Sequence, residues 1–334
     1  MMFPMIPVDQ LASSALAGAL LLAKSSVVVC IGALVARALP SSAAHRVRVW
    51  RSTFLLLLIL PLAQAFLPEL DVALVGIDHA GLNQVAGWGA ISTSIAGWIV
   101  AVWFAGAAFS LLRLLRDTLA ARALCRRATP VSDDRLTRLA DDMARLSGVP
   151  RVGMRFTDEL DAPALIGWRL PIVLLPYSAQ QWTTAELRSM LCHELEHVRA
   201  RDWPVMLLER AIAAVYWPSP LMPLASKASS AARECAADSA VLRAAVEPQA
   251  YAKQLLRTAR ARTRPQVAMS LAFAHGGVEA RVRALFAVPS VRSPFSPVAR
   301  GAVVALLVPV VLAMSAAQPW TCLPEGTQFV ALAD

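Results

Sequence analysis

Charged residues are scarce in this sequence of 334 residues, because Asp, Glu, Lys and Arg make up only 16% and hydrophobic residues 57%. A soluble globular domain carries roughly 25% charged residues, and the apolar residues here are gathered into long runs. We therefore expect a membrane protein that contacts a lipid bilayer. The five cysteines show no spacing typical of a disulfide framework, which excludes a small disulfide-stapled scaffold.

The sequence also has no internal repeat, no low-complexity segment and no interleaving of aromatic and basic residues. Its net charge of +9 therefore does not indicate direct contact with nucleic acid. We attribute the charge to membrane topology and to attraction to an anionic leaflet. A cleavable signal peptide is not expected, because Asp9 rather than a basic segment precedes the first apolar run.

Four apolar runs predict transmembrane helices. They cover residues 14–35, 52–67, 91–112 and 301–317, and the third is the cleanest. Lys24 interrupts the first run, so its ammonium group either extends to the membrane surface or faces the interior of the helix bundle. From these runs we predict that the chain is a mainly α membrane protein.

Positive charge is unevenly distributed between the loops. Arginines are frequent between the first two runs and again between residues 113 and 127, whereas residues 68–90 contain neither Lys nor Arg. The positive-inside rule predicts that both chain termini lie outside and that residues 113–300 lie in the cytoplasm. The predicted parts are a membrane domain at 1–115, a cytoplasmic domain at 116–298, a fourth transmembrane helix at 299–317 and an external tail at 318–334.

The most informative motif is His193-Glu194-Leu195-Glu196-His197. Two histidines four positions apart project from one face of a helix, so both imidazoles can reach a single zinc ion. The intervening Glu194 then lies close enough to take a proton from a water at that ion. The alternative interpretation is a polar stretch of exposed helix.

Local signals favour a helix at this motif. Thr183 and Glu186 form a predicted capping box, and residues 185–199 contain neither Gly nor Pro. Pro204 opposes continuation of the helix. An apolar stripe gives the helix a face to bury, and it consists of Leu187, Met190, Leu191 and Leu195.

A downstream acidic pair supplies further candidate residues. Glu234 and Asp238 are four positions apart in an alanine-rich segment that is predicted to be helical. Glu234 can complete a His-His-Glu site, and Asp238 can accept a hydrogen bond from a ligand imidazole. The alternative is a solvated acidic face paired with Arg233. Asp202 is a candidate for orienting either the end of the histidine helix or a ligand.

Short strands are predicted before the histidine helix. Residues 152–156 alternate like a strand, and residues 164–168 with 172–175 form a predicted hairpin or bent strand pair. An edge strand beside the helix can hold an extended peptide by main-chain hydrogen bonds, although a core strand fits the pattern equally well.

The segment at residues 203–224 is apolar enough to be mistaken for another span. Glu209, Arg210 and several prolines argue against a crossing. A crossing would also place Glu234 on the opposite side of the membrane from His193. We therefore predict a buried or membrane-grazing segment.

Together these features resemble the BlaR/MecR-type membrane metallopeptidases, family fifty-six of the metallopeptidases. The resemblance covers nearly the whole chain and combines three spans, a cytoplasmic histidine helix and a fourth span. It implies a cytoplasmic α+β zincin-like (gluzincin) domain with a small antiparallel sheet, at the inner membrane of a bacterium. The matching segments are 156–158, 164–176, 193–202, 217–218, 233–242 and 276–281.

The resemblance implies a zinc ion held by His193, His197 and Glu234, with Glu194 as general base and acid. Such proteins couple an external signal to cleavage of a cytoplasmic protein, often a transcriptional repressor. The best-known members carry a penicillin-binding sensor domain after the fourth span, where this sequence has residues 318–334. We therefore expect the signal to enter through residues 68–90, the tail, the spans or a partner.

The sequence leaves several points open. A quality-control zinc protease of the HtpX type and a non-enzymatic receptor with a structural metal site are the alternative functions. Tyr216, Tyr251 and His275 are candidate donors for stabilising an oxyanion. The sequence does not determine the protein substrate, the signal, self-cleavage or whether the chain forms a homodimer.

Overall fold

The computed structural model describes residues 8–38, 42–66, 70–71, 93–261, 277–286 and 317–318. Apart from Ala317, the fourth predicted span lies outside these residues, as does His275. The helices are α1 (Val8–Ala38), α2 (Ala43–Phe66), α3 (Thr93–Arg127), α4 (Asp134–Leu146), α5 (Thr184–Arg199), α6 (Asp202–Val215), α7 (Met222–Arg243), α8 (Pro248–Ala261) and α9 (Val278–Phe286). The strands are β1 (Leu70–Asp71), β2 (Thr129–Pro130), β3 (Gly153–Thr157), β4 (Ala164–Ile166), β5 (Ile172–Pro176) and β6 (Ala317–Gln318).

The first three predicted spans fall largely on α1, α2 and α3. α1 packs against both of the others. Among the residues that the structure describes, two segments are long and apolar enough to cross a membrane, Gly18–Ala38 in α1 and Gly97–Arg127 in α3. The predicted domain boundary after residue 115 falls inside α3, which continues without interruption to Arg127.

Lys24 interrupts the first apolar run and is only 8% exposed in the helix bundle. An ammonium group that extended to the membrane surface would be more exposed than this. The burial of Lys24 therefore favours the other alternative, in which it faces the interior of the helix bundle. The neighbouring Ser25 is also buried and donates a hydrogen bond to the Leu22 carbonyl oxygen at 2.7 Å. The interior of the bundle therefore contains polar groups.

The four-stranded sheet is mixed, so the prediction of an antiparallel sheet is wrong. Its strand order is β2-β3-β5-β4, and the central strands β3 and β5 run parallel. The pairs β2–β3 and β4–β5 are antiparallel. After β3 the chain passes to the edge position, forms β4 and turns back beside β3. Because β5 returns antiparallel to β4, it runs in the same direction as β3.

The predicted hairpin is confirmed for β4 and β5, with Leu165 opposite Val173. Its turn contains Gly167 at a φ of 93°, in the left-handed region that favours glycine. A Cβ atom at this position would lie 3.0 Å from the carbonyl oxygen of Leu170. The turn therefore requires glycine.

One apolar core joins α4, the sheet and α5. Leu165, Val173 and Leu175 of the sheet are buried against the apolar stripe of α5. Ala164 and Ile166 point into a second core with residues of α3 and α6. Because successive side chains of β4 enter different cores, this strand is held beside the histidine helix.

The predicted capping box begins α5. Thr183 Oγ1 accepts a hydrogen bond from the Glu186 amide at 3.3 Å, and Glu186 Oε2 accepts one from the Thr183 amide at 2.8 Å. After α5, Arg201 adopts a φ of 52° and turns the chain into α6. Pro204 lies in the first turn of α6, where a missing amide hydrogen costs no helical hydrogen bond. The turn brings Asp202 back beside α5.

The end of α6 contacts two of the predicted spans. Tyr216 Oη donates to the carbonyl oxygen of Leu57 in α2 at 2.8 Å. Trp217 Nε1 donates to the Trp103 carbonyl oxygen at 3.0 Å, and Trp103 Nε1 donates to the Val215 carbonyl oxygen at 2.7 Å. The apolar segment at 203–224 thus packs against α2 and α3. After it, α7 packs along α2, and α9 packs on α7 and α8.

Candidate metal centre

The two histidines of the motif face each other on α5. His193 Nε2 and His197 Nε2 are 3.2 Å apart, and the two rings meet edge to face at 84°. Both residues are buried, with exposed fractions of 9% and 1%. The capping box and the buried apolar stripe fix the helix, so the sequence positions both imidazoles with little freedom.

Glu234 on α7 completes the cluster. Its Oε2 lies 3.6 Å from His193 Nε2 and its Oε1 lies 3.8 Å from His197 Nε2. Candidate ligand atoms of the three residues all lie within 4.8 Å of one another. Among the described residues, Glu234 Oε1 is a buried oxygen without a hydrogen-bond partner. Such an atom favours a cation in the cluster.

Outer carboxylates determine which ring nitrogens face the centre. His197 Nδ1 lies 2.7 Å from Asp202 Oδ2, and His193 Nδ1 lies 3.1 Å from Asp238 Oδ1. A carboxylate beside each Nδ1 favours the tautomer that carries its hydrogen there. Both Nε2 lone pairs then point at the Glu234 carboxylate. A cation placed between the lone pairs and the carboxylate removes the repulsion among these three electron-rich groups. The donor set and its tautomers therefore fit a divalent metal ion such as zinc.

The pKa values show how strongly the cluster favours positive charge. Burial lowers the pKa of His193, but hydrogen bonds to Asp238 and Glu234 raise it to about 10. Burial raises the pKa of Glu234, but Arg281 and the histidines lower it to about 2. The carboxylate is therefore ionised and ready to bind a cation at neutral pH, whereas a metal displaces the proton from His193.

Asp202 joins His197 to α2. Its Oδ1 forms a salt bridge with Arg51 of α2, while its Oδ2 holds His197. Burial raises the pKa of Asp202, but the hydrogen bond and charge of His197, with Arg233 and Arg51, lower it below the ordinary value. Asp202 thus orients both a candidate ligand and the corner between α5 and α6.

Asp238 and Arg281 close the other side of the centre. Arg281 Nε and Nη2 donate to Asp238 at 2.8 and 2.6 Å, and its Nη1 contacts Glu234 Oε2 at 2.9 Å. Burial raises the pKa of Asp238, but the hydrogen bond to Arg281 lowers it well below its usual range. Sequence reasoning assigned no role to Arg281 of α9, although the segment 276–281 that ends in it is among those that resemble the family.

Tyr251 contacts the side of His193 that faces away from the centre. Its hydroxyl donates to Asp238 Oδ1 at 2.8 Å and lies 3.1 Å from His193 Nδ1. This position orients the imidazole rather than an oxyanion. Of the other proposed oxyanion donors, Tyr216 is bonded to Leu57 and His275 lies outside the described residues.

Replacing Tyr251 with phenylalanine keeps the ring and removes the hydroxyl. We expect about tenfold weaker zinc binding, because second-layer partners of a ligand histidine affect metal affinity on this scale. Competition with a chromophoric chelator measures the change. Tyr177→Phe is the control, since its exposed hydroxyl contacts Thr129 rather than the centre. An unchanged affinity for Tyr251→Phe would mean that Asp238 orients His193 unaided.

Glu194 and the edge strand β4 lie beside the cluster. Glu194 sits between the two histidines on α5 and is 7% exposed. In the described part of the chain, β4 ends the sheet, so its outer main-chain groups face away from the other strands. A cavity of about 270 Å³ lies next to His197 and β4, and Leu165, Trp168 and Arg201 contribute to its lining. The three residues of β4 are buried, with exposed fractions of 1 to 7%.

The fold and the site define a class of protein. A helix with His-Glu-x-x-His and a glutamate from a later helix are typical of metallopeptidases whose metal is held by two histidines and a glutamate. The comparison with known families agrees, because the model of the BlaR1 peptidase M56 family matches residues 80–285. The chain belongs to this family, and the resemblance inferred from the sequence is confirmed.

One curated relative shows how far the similarity extends. Regulatory protein BlaR1 of Bacillus licheniformis is 26% identical over 144 residues. The alignment covers 43% of this chain and 24% of that protein. The chain thus spans about a quarter of the length of this relative. Family membership and the two long apolar helices support a membrane protein.

Proposed function

We propose that the chain is an integral-membrane zinc endopeptidase that transmits a signal by cleaving a cytoplasmic protein. One observation carries this proposal. His193 Nε2, His197 Nε2 and the Glu234 carboxylate converge in a buried cluster, with Glu194 between the histidines. Three protein ligands leave one coordination position of a zinc ion free for water, and Glu194 can act as a base for that water. A purely structural metal site needs neither the free position nor the base.

The residues divide the chemistry between them. Bound zinc supplies a Lewis acid that polarises a peptide carbonyl and makes a nearby water more acidic. Asp202 and Asp238 keep the imidazoles of His197 and His193 oriented towards the centre. Glu194 takes a proton from the attacking water and passes it to the leaving amine. The buried surroundings limit access of other water to the reaction.

The substrate is proposed to bind as an added strand. Among the described residues β4 ends the sheet and packs on α5, and its outer main-chain groups are proposed to pair with the peptide. The cavity beside Trp168 and His197 can take one side chain of the peptide. An extended cytoplasmic segment, such as an exposed loop or linker of a transcriptional repressor, fits this geometry.

The proposed topology has four transmembrane helices in the bacterial inner membrane. The parallel pairing of Leu70 with Ala317 and of Asp71 with Gln318 supports it, because the first segment follows the second predicted span and the second lies at the end of the fourth. The outer ends of the second and fourth spans would then lie side by side, with both chain termini outside. The protease domain would lie in the cytoplasm, in contact with lipid and without direct contact to nucleic acid.

The proposal is tested with the full chain purified in detergent. We expect about one zinc ion per chain by elemental analysis, and a marked loss of bound zinc for His197→Ala and Glu234→Ala. Cytoplasmic proteins that accumulate with an inactive Glu194→Ala chain are candidate substrates. Absence of stoichiometric zinc would refute the proposal, and broad cleavage of unfolded casein would favour a quality-control protease instead.

A further inference from the structure

Helix α2 contacts both of the helices that supply the candidate ligands. α2 contacts the corner between α5 and α6, which lies just after His197, and it packs along α7, which carries Glu234. α5 and α7 are separate in sequence, so their relative position sets the distance from His197 to Glu234. α2 is therefore placed to affect the geometry of the metal centre.

At the corner, the contact is made by Arg51. Its Nη2 forms a salt bridge with Asp202 Oδ1 and donates to the carbonyl oxygen of Ala200 at 2.9 Å. Ala200 caps the C-terminus of α5, where a cation satisfies carbonyl oxygens that the helix leaves unpaired. Arg51 thus holds the end of the histidine helix and the first turn of α6 at once.

A chain of contacts continues from Arg51 to the centre. Asp202 Oδ2 lies 2.7 Å from His197 Nδ1, on the same carboxylate that Arg51 binds through Oδ1. Asp202 is 3% exposed and His197 is 1% exposed. The orientation of the imidazole therefore depends on a carboxylate whose own position depends on a residue of α2.

The contact between α2 and α7 is apolar. Trp50, Phe54 and Leu57 of α2 are buried in one cluster with residues of α7, among them Ala225 and Ala232. Ala232 lies two positions before Glu234 and is 4% exposed. Such close packing transmits a shift of α2 to α7, because packed interiors have little free space.

The position of Arg51 along α2 ties this contact to the membrane. It is the last charged residue of the helix, since residues 52–66 contain no Asp, Glu, Lys or Arg. Moving it towards the outer side would take a guanidinium into hydrocarbon, which is costly. The salt bridge to Asp202 can therefore form only over a narrow range of positions of α2 along the membrane normal.

We propose that Arg51 is a positioning residue that couples the second transmembrane helix to the metal centre. A displacement of α2 weakens the hold of Asp202 on His197 and lowers the affinity for the metal ion. This inference rests on the proposed function, because it assigns the path by which a signal from the membrane reaches the zinc ligands. The path runs from Arg51 through Asp202 to His197, while the packing on α7 moves Glu234.

Three variants of the full chain test the proposal. Arg51→Ala should weaken zinc binding about tenfold, as expected for an outer partner of a ligand histidine. Arg51→Lys should restore most of the affinity, because an ammonium group can pair with Asp202. Arg48→Ala is the matched control, since Arg48 is an exposed arginine one turn away on the same helix. Zinc affinity is measured by chelator competition, and the melting temperature of the zinc-free chain is measured in parallel.

A double-mutant cycle separates coupling from a general structural effect. Because the path passes through Asp202, Arg51→Ala should cause no further loss of zinc affinity in an Asp202→Ala background. Equal losses in both backgrounds, or equal affinities of Arg51→Ala and the wild-type chain, would overturn the inference. A wild-type chain that binds no zinc would refute the proposed function itself, so the two failures are distinguishable.

Discussion

Replacing Glu194 with glutamine is expected to lower the rate of peptide hydrolysis by a factor of about 100 to 10,000. The amide has nearly the shape of the carboxylate but cannot accept the proton of the attacking water. The metal centre should be unaffected, because its candidate ligands are His193, His197 and Glu234. We therefore expect an inactive chain that retains its zinc.

The measurement compares turnover and zinc content of the same preparation. Glu196→Gln is the matched control, because Glu196 belongs to the same motif, but its partly buried carboxylate pairs with Arg199 and is not among the candidate ligands. It should retain activity within a few fold of wild type. Full signalling by Glu194→Gln in cells would contradict the protease proposal and favour a receptor whose metal site is structural.

The sequence predicts the histidine helix well because all of its determinants are local. Thr183 and Glu186 cap the helix, Leu191 and Leu195 give it a face in the apolar core, and the two histidines project from the opposite face. The spacing of Glu234 and Asp238 on α7 is equally local. The two helices converge because of long-range packing, which local spacing in the sequence does not reveal. Only the resemblance to a family indicated that Glu234 joins the histidines.

The residues that sequence reasoning missed act across long separations. Arg51 binds Asp202 across 151 positions, and Arg281 binds Asp238 across 43. In the sequence each looks like an ordinary surface or boundary arginine, because nothing nearby shows that it will pair with a buried carboxylate. The parallel pairing of β3 with β5 was missed for a similar reason, since strand order depends on where the hairpin inserts.

Replacing Arg281 with alanine is expected to destabilise the zinc-free chain by about 3–5 kcal/mol, the cost of removing one partner of a buried ion pair. Arg281 is 12% exposed, and the carboxylates of Glu234 and Asp238 that it contacts are 6% and 4% exposed. Without its guanidinium, two buried negative charges would lose one of the two cations they share and keep only protonated His193. Denaturant unfolding in detergent, after removal of metal, measures the loss.

Arg283→Ala is the control for this prediction. Arg283 lies two positions further on the same helix, and it pairs with Glu279 where both side chains are exposed. Removal of an exposed pair of this kind changes stability by less than about 1 kcal/mol. A loss of similar size for Arg281→Ala would mean that water screens Glu234 and Asp238 as well as it screens the surface pair.

Zinc should reverse part of the Arg281→Ala defect. Arg281 Nη1 contacts Glu234 Oε2, the same oxygen that faces His193 Nε2, so the guanidinium and a metal ion compete for one carboxylate. Removing the guanidinium also removes a positive charge that repels the metal ion. We therefore expect Arg281→Ala to bind zinc at least as tightly as wild type, although its zinc-free form is less stable. Weaker zinc binding would show instead that Arg281 holds Glu234 in the orientation that the metal requires.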